Sequence, residues 1–292
     1  MLVYTCLFTI AGADPSKNKY VDMLYIWLHM LKTYGGLTAH DHVFVFIDEV
    51  TIEFIHKKYL FLGAIFKSLV CQFNIIKVPQ PSTYFEGMLM KYMPFKDPWK
   101  PNFMDASHCI YLDLDVLTIS RFQRFIDEFD MVHPDVLYVC AEGPLTDDNY
   151  LGKFATSEEL AIRHCKDAKL CGVTAGIFGF TPGPAIEIFM NRMLYLLANA
   201  SDKKMYTLDQ PYFNREVIYG ISTNTLRISY KTFANHVYIN KHITPNGTFV
   251  IPNDSIILWN NMGEPMAPDV HLSKVIMAMS IMHARDAAAP KK

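Results

Sequence analysis

Runs of consecutive apolar residues alternate, in the first half of the chain, with stretches whose apolar positions recur every three or four residues. Residues 2–10 (LVYTCLFTI) form the first run and read as a strand buried on both faces. In YVDMLYIWLHMLKTYGG, Val21, Leu24, Tyr25, Leu28 and Leu31 fall at helical spacing, and Gly35-Gly36 end the helix. HVFVFIDEV predicts a second strand ending at Asp48, TIEFIHKKYLFLGAIFKSLV a helix, and FNIIKVP a short strand. CIYLDLDVLTI, residues 109–119, reads as a further strand and VLYVCAE as another. Short apolar strands with helices between them imply an α/β fold with a mainly parallel, Rossmann-like sheet covered on both faces. Ligands of such sheets bind beyond the carboxyl ends of the strands, where Thr9, Asp48 and Asp115 would lie.

The second half changes pattern. Residues 79–108, rich in Pro and Met, have no clear period and predict a loop with a short helix around FEGMLMKYM. CGVTAGIFGFTP reads as a strand interrupted by small residues, GPAIEIFMNRMLYLLANA as an amphipathic helix and LDQPYFNREVI as another helix. Residues 221–258 predict irregular β-structure, and APDVHLSKVIMAMSIMHARDAA a closing helix with Asp269 as N-cap. No internal repeat or low-complexity segment appears, so 1–292 is expected to form one domain.

Composition narrows the class further. A net charge of −2 with scattered Lys and Arg gives no footprint for nucleic acid. The six cysteines show no CxxC spacing, which disfavours structural zinc and suits buried thiols in a reducing compartment. MLVYTCLFTIAGAD lacks a basic region and a cleavage site, so it reads as a strand and not a signal peptide. No apolar run reaches the ~18–20 residues that cross a bilayer. A cytoplasmic location without a membrane span is the expectation, and the sequons at Asn199, Asn246 and Asn253 are then chance matches.

Against this apolar background the pair Asp113 and Asp115 stands out. On a strand the two would point to one side, roughly 7 Å apart at Cα. Two close, partly desolvated carboxylates repel unless a cation lies between them, and oxygen donors of this kind suit Mg²⁺ or Mn²⁺. The bland alternative is a strand that ends early, leaving both side chains in solvent or capping a loop. Ile110-Tyr111-Leu112 before the pair and the strand-like residues after it favour the cation.

IYLDLDVLTI resembles the YLDxD segment of nucleotide-sugar glycosyltransferases of the GT-A fold, and in particular glycosyltransferase family 8, the glycogenin and galactosyltransferase group. Further segments follow in that family's order over residues 2–214. CLFTIAGADPSKNKY is similar to the first strand and loop, whose Thr and Tyr embrace the nucleoside; here these are Thr9, with Ala11 beside it, and Tyr20. EGMLMKYM resembles the segment whose Lys reaches the donor, here Lys91. GVTAGIFGFTP resembles the strand against which the sugar lies, and LDQPYFN the helix start with Asp209, Gln210 and Asn214.

The resemblance implies a transferase moving a sugar from a nucleotide-diphosphate sugar, with UDP the expected nucleotide and retention the expected outcome, to a glycan, protein or small-molecule acceptor. It implies that residues 1–120 bind the nucleotide and 121–292 the sugar and acceptor. Asp113 and Asp115, with Leu114 between them, would hold Mn²⁺ or Mg²⁺ against the diphosphate. Lys91 would add positive charge. Thr174, Ala175 and Gly176, with Gly172, would let the sugar approach the backbone. Asp209 and Gln210 would line the β-face of the sugar, and one of them would stabilise the developing cation, the favoured role, or act as the nucleophile-like group of a retaining reaction; simple N-capping by Asp209 is the bland alternative. Asp48 would accept from a pyrimidine N3–H or be a plain loop residue.

The chain departs from the family near its end. The family's HxxGxxKPW is missing, IILWNNMGEP stands in that region, and His271, or less directly His283, is the candidate third metal ligand. Two other readings remain: a module of the same fold that binds a nucleotide sugar without turning it over, and a sugar-phosphate nucleotidylyltransferase. The second needs a Gly-rich basic loop after the first strand, and TIAGADPSKNKY has one Gly and no Arg.

Overall fold

A computed structural model describes residues 1–58, 69–118, 121–122, 134–144, 171–200, 209–231, 234–236 and 257–259. Among these, seven strands build the main sheet in the order β3-β2-β1-β4-β7-β6-β8: β1 (Leu2–Leu7), β2 (His42–Asp48), β3 (Gln72–Val78), β4 (Cys109–Leu112), β6 (Val136–Pro144), β7 (Cys171–Phe180) and β8 (Arg227–Lys231). The pairs β1·β2, β2·β3, β1·β4 and β6·β8 are parallel, whereas β7 runs antiparallel to both β4 and β6. The sheet is therefore mainly parallel, as the strand spacing predicts, with one reversed strand inserted beside the central β4. A second sheet, β5-β10-β9, holds β5 (Val116–Thr118), β9 (Ala234–His236) and β10 (Ile257–Trp259).

The continuous apolar runs of the inner strands reflect burial on two faces. Val3 and Leu7 of β1, Val43, Val45 and Ile47 of β2, and Ile110 and Leu112 of β4 pack on one side with Val21, Leu24, Trp27, Leu28 and Leu31 of α1 (Tyr20–Tyr34). The alternate positions Tyr4, Phe44, Phe46 and Tyr111 join Phe178 and Phe180 on the other side, under α5 (Pro184–Ala198) and α6 (Gln210–Ser222). That second layer is aromatic: Tyr4 meets Tyr111, Phe103 and Phe178 edge-on at 5.1, 5.2 and 6.4 Å between ring centroids. α1 ends as its sequence suggests, on Gly35 and then Gly36, whose φ of +67° suits a residue without Cβ.

Three expectations change. The first strand stops at Leu7, and residues 8–14 form a loop tied to residue 81 by the Ala11 N–H bond to the Pro81 carbonyl. Residues 79–108 are more ordered than their composition suggests: α3 (Tyr84–Met88), a 3-10 stretch (Leu89–Phe95) and α4 (Lys100–Met104) follow one another. The run 109–119 is not one strand. β4 ends at Leu112, Asp113 to Asp115 turn, and β5 leaves for the second sheet, with the Val116 N–H closing on the Asp113 carbonyl at 3.0 Å. The alternation of a single strand therefore does not set the relation of the two aspartates; a turn at the sheet's edge does, because the chain changes sheets there. Of the predicted helix after β2, the structure describes α2 (Glu49–Lys58). The closing helix with Asp269, His271 and His283 lies outside the described residues.

Candidate active site

The carboxyl ends of β1, β2 and β4 converge where their loops begin, and the chemistry-bearing side chains gather there. Asp113 follows directly on β4 and its N–H donates to the Gly176 carbonyl at 2.8 Å, which fixes the turn against β7. A Cβ at Gly176 would lie 2.8 Å from Asp113 Oδ2, so a larger residue there would displace the carboxylate. The missing side chain is thus the cradle in which the Asp113 carboxylate rests. Thr174 is fully buried and its hydroxyl accepts from the Gly176 N–H at 2.9 Å, stiffening the same strand. Ala175 is buried beside it.

Lys91 reaches this carboxylate from the 3-10 stretch. Its ammonium is 3.2 Å from Asp113 Oδ1 and 3.3 Å from Asp209 Oδ2, and its ring neighbour is Tyr111, with Nζ 5.2 Å from the centroid. Lys91 and Asp209 are buried, whereas the Asp113 side chain keeps 31% of its exposure, so the cluster opens to solvent on the Asp113 side. Burial alone would drive the Lys91 proton off, but the Asp113 and Asp209 carboxylates outweigh it and hold the ammonium well above the ordinary lysine range. Burial pushes the Asp113 carboxyl up to about 6 against the pull of Lys91, with Asp115 and Asp209 adding to the rise. Asp115 is half-buried, and its charge acts on Asp113 and on the Tyr20 phenol.

Asp209 occupies the position before α6 yet makes no side-chain cap there. Its carboxylate turns instead to Lys91 and accepts from the Tyr92 hydroxyl at 2.7 Å, so the N-capping alternative does not hold. Asn214 explains why Asp209 stays there: its side chain accepts from the Val173 N–H at 2.8 Å and donates to the Val173 carbonyl at 2.7 Å and the Gln210 carbonyl at 3.0 Å. One buried amide thus locks the start of α6 to β7. Gln210 is half-buried on that first turn.

The expected nucleoside side is assembled from three loops. The Thr9 N–H donates to Asp48 Oδ2 at 2.9 Å, the Thr51 hydroxyl lies 2.7 Å from the Thr9 hydroxyl, and the Asn18 amide donates to the Phe8 carbonyl and the Thr9 hydroxyl. Tyr20, 42% exposed, and Ala11 face solvent at this rim. Asp48 is fully buried and accepts from Thr9 and from the Thr51 N–H and hydroxyl. It ties β1 to α2 and offers no surface to a base, which corrects the expected contact with a pyrimidine. Leu114 likewise sends its side chain into the core beside Val116 and Ile110, leaving only backbone to a ligand.

Sequence reasoning missed the tyrosines. The Tyr4 hydroxyl donates to the Lys91 carbonyl at 3.1 Å, Tyr92 to Asp209, and Tyr111 to Asp113 Oδ1, with the Cys6 thiol 3.4 Å from the Tyr111 oxygen. Their signal was available: a buried tyrosine needs a partner for its hydroxyl, and Tyr4 and Tyr111 sit inside apolar strands. Burial, with neighbouring carboxylates adding, holds the Tyr92 and Tyr111 phenols far above their usual range, so both remain donors.

Two carboxylates at an open edge supply the hard oxygen donors that Mg²⁺ or Mn²⁺ takes from protein beside phosphates, and the Gly176 cradle leaves Asp113 room to present them. The residues present therefore fit a divalent ion. Among the described residues no group of three or more His, Cys, Asp or Glu side chains comes together as a metal site, and His271 lies outside them. No helix among the described residues is long and apolar enough to cross a membrane. The four cysteines whose side chains are described, Cys6, Cys71, Cys109 and Cys140, are free and buried.

No protein-family model matches this sequence. No curated protein matches it either. Among solved structures, the fold is similar to the apo crystal structure of mouse xyloside xylosyltransferase 1, with a TM-score of 0.50 over 91% of this chain and 98% of that one, at 15% sequence identity. At that identity the likeness concerns the fold, and the architecture is the GT-A type of α/β fold.

Proposed function

We propose that this protein is a metal-dependent glycosyltransferase that moves a sugar from a nucleotide-diphosphate sugar, with UDP as the nucleotide, to an acceptor with retention of configuration. One observation carries the reading: a buried ammonium held between two carboxylates from distant parts of the chain, Asp113 and Asp209, at the carboxyl edge of a parallel sheet. One solved structure of similar fold bears the name of a xylosyltransferase, which supports a sugar-transfer role.

In this reading Asp113 and Asp115 hold Mn²⁺ or Mg²⁺. When bound, such an ion supplies Lewis-acid neutralisation of the leaving diphosphate. Lys91, preorganised and fully charged, adds positive potential at the same side without any reorganisation during reaction. Tyr20 and the Thr9 loop receive the nucleoside, and Thr174, Ala175 and Gly176 offer the sugar a smooth strand. Asp209, aimed by Tyr92 and by the Asn214 lock, places negative charge where the anomeric carbon becomes cationic. Gln210, half-exposed beside it, is placed to orient a sugar hydroxyl.

The test is incubation with Mn²⁺ and a panel of UDP- and GDP-sugars, following release of nucleotide diphosphate. Slow donor hydrolysis that disappears in Asp115→Ala supports the transferase. Donor binding with no release in any combination would leave a binding module in its place.

A further inference from the structure

Two buried phenols pack against one phenylalanine ring in the site. Tyr111 stacks on Phe178 with centroids 5.0 Å apart and planes at 24°, and Tyr92 lies parallel to the same ring at 6.2 Å and 2°. All three side chains are fully buried. Each phenol ends on a different carboxylate of the cluster: Tyr111 on Asp113, Tyr92 on Asp209 at 2.7 Å. The two carboxylates in turn face the same Lys91 ammonium. The rings cannot swing without breaking the aromatic layer, which also packs Phe213 on Phe178 at 5.2 Å.

We propose that Tyr92 and Tyr111 are positioning residues with separate duties: Tyr92 aims the Asp209 carboxylate at the transferring sugar, and Tyr111 presents the Asp113 carboxylate to the metal. The inference rests on the glycosyltransferase reading and deepens it. Without a directional donor, a carboxylate beside an ammonium rotates among several arrangements of similar energy, because a charged Nζ attracts either oxygen; here Lys91 already lies 3.2 and 3.4 Å from the two oxygens of Asp113. A hydroxyl fixed by ring stacking picks one oxygen, Oδ1 of Asp113 and Oδ2 of Asp209, and leaves the other to the longer ammonium contact, at 3.4 and 3.5 Å. The two hydroxyls belong to different elements, β4 and the 3-10 stretch, so each can be removed alone.

Three variants test this: Tyr92→Phe, Tyr111→Phe and Asp209→Asn, the last also combined with Tyr92→Phe. Melting curves are recorded alongside donor turnover and a Mn²⁺ titration of activity. A hydrogen bond to a charged group, once lost, corresponds to about a tenfold effect or more. Tyr92→Phe is expected to lower kcat by about that factor with donor KM and the Mn²⁺ midpoint unchanged within about twofold. Tyr111→Phe is expected to raise the Mn²⁺ midpoint by a similar factor while kcat at saturating Mn²⁺ holds. Because Tyr92 acts through Asp209, its replacement should add nothing in the Asp209→Asn background. Wild-type kcat and midpoint in both single variants would overturn the inference. So would equal loss of both quantities in step with a lowered melting temperature, which marks a packing role only. A wild-type protein that turns over no nucleotide sugar overturns the functional reading and this inference together, whereas an active wild type with unaltered variants overturns this inference alone.

Discussion

Replacing Lys91 with methionine removes the charge at the centre of the site and keeps most of the side chain's volume. The ammonium is buried and shared by Asp113 and Asp209, so its loss strands two carboxylates that were neutralised by one cation. Removing one partner of a buried ion pair costs about 3–5 kcal/mol. Asp113 retains 31% of its side-chain exposure and recovers some hydration, which places the expected loss near the lower end, at about 3 kcal/mol. For a chain of this size about 3 kcal/mol lowers the melting temperature by roughly 5 °C. The same vacancy of charge makes the variant a better cation site, because no ammonium now repels a divalent ion. Added Mn²⁺ should therefore restore the variant's melting temperature by more than it raises that of the wild type. Thermal melts of both proteins at neutral pH, with chelator and with millimolar Mn²⁺, read both effects. A variant that melts within about 2 °C of the wild type, or that gains no more from Mn²⁺ than the wild type does, refutes the charge accounting.

Other perturbations probe separate links. Gly176→Ala places a Cβ 2.8 Å from Asp113 Oδ2, so Mn²⁺-dependent donor hydrolysis should fall sharply while far-ultraviolet circular dichroism stays unchanged. Asn214→Ala leaves the Val173 N–H and carbonyl without their buried partner and should cost about 2–3 kcal/mol in urea unfolding. Asp41→Asn tests pH linkage. Burial alone would raise the Asp41 carboxyl, but the N–H and hydroxyl of Thr38 outweigh it and hold it below its usual range. A depressed folded-state value gives stability that is present above the unfolded carboxylate range and lost as pH falls through the folded one. The stability gap between wild type and Asp41→Asn should thus be full at neutral pH and close in acid.

How much of this was legible in the sequence differs residue by residue. The inner strands announced themselves because burial on both faces demands continuous apolar runs, and β1, β2 and β4 fall inside the predicted stretches. The reversed direction of β7 was not legible, since an apolar run carries no sign of its direction in the sheet. The turn at Asp113 was misread for a related reason: hydrophobic residues on both sides of the pair belong to two strands in two sheets, and periodicity cannot see the change of partner. Asp48 lies at the end of a strand, yet it is enclosed by Thr51 from the first turn of α2 and by Thr9 from a loop whose approach only the fold decides. Lys91 and Asp209 were found by resemblance, but that they meet each other, 118 residues apart, was not readable from either segment.

The same comparison explains why the site can hold so much charge inside an aromatic layer. Phe178, Phe180 and Phe213 exclude water from the cluster, which strengthens every polar contact in it and makes any unpaired group expensive. Tyrosine reconciles the two demands, since its ring belongs to the layer and its hydroxyl to the cluster. Tyr4 steadies the backbone that carries Lys91, while Tyr92 and Tyr111 each satisfy one carboxylate. Among the described carboxylates of the cluster, Asp113 and Asp115 are the ones left partly exposed. The Asp113 and Asp209 carboxylates are therefore satisfied in depth by Lys91 and the two phenols, while Asp113 and Asp115 carry negative charge towards the more exposed side. Under the proposed function, a polyanionic donor approaching these carboxylates would be repelled by them alone, so that reading calls for a donor that arrives together with a cation.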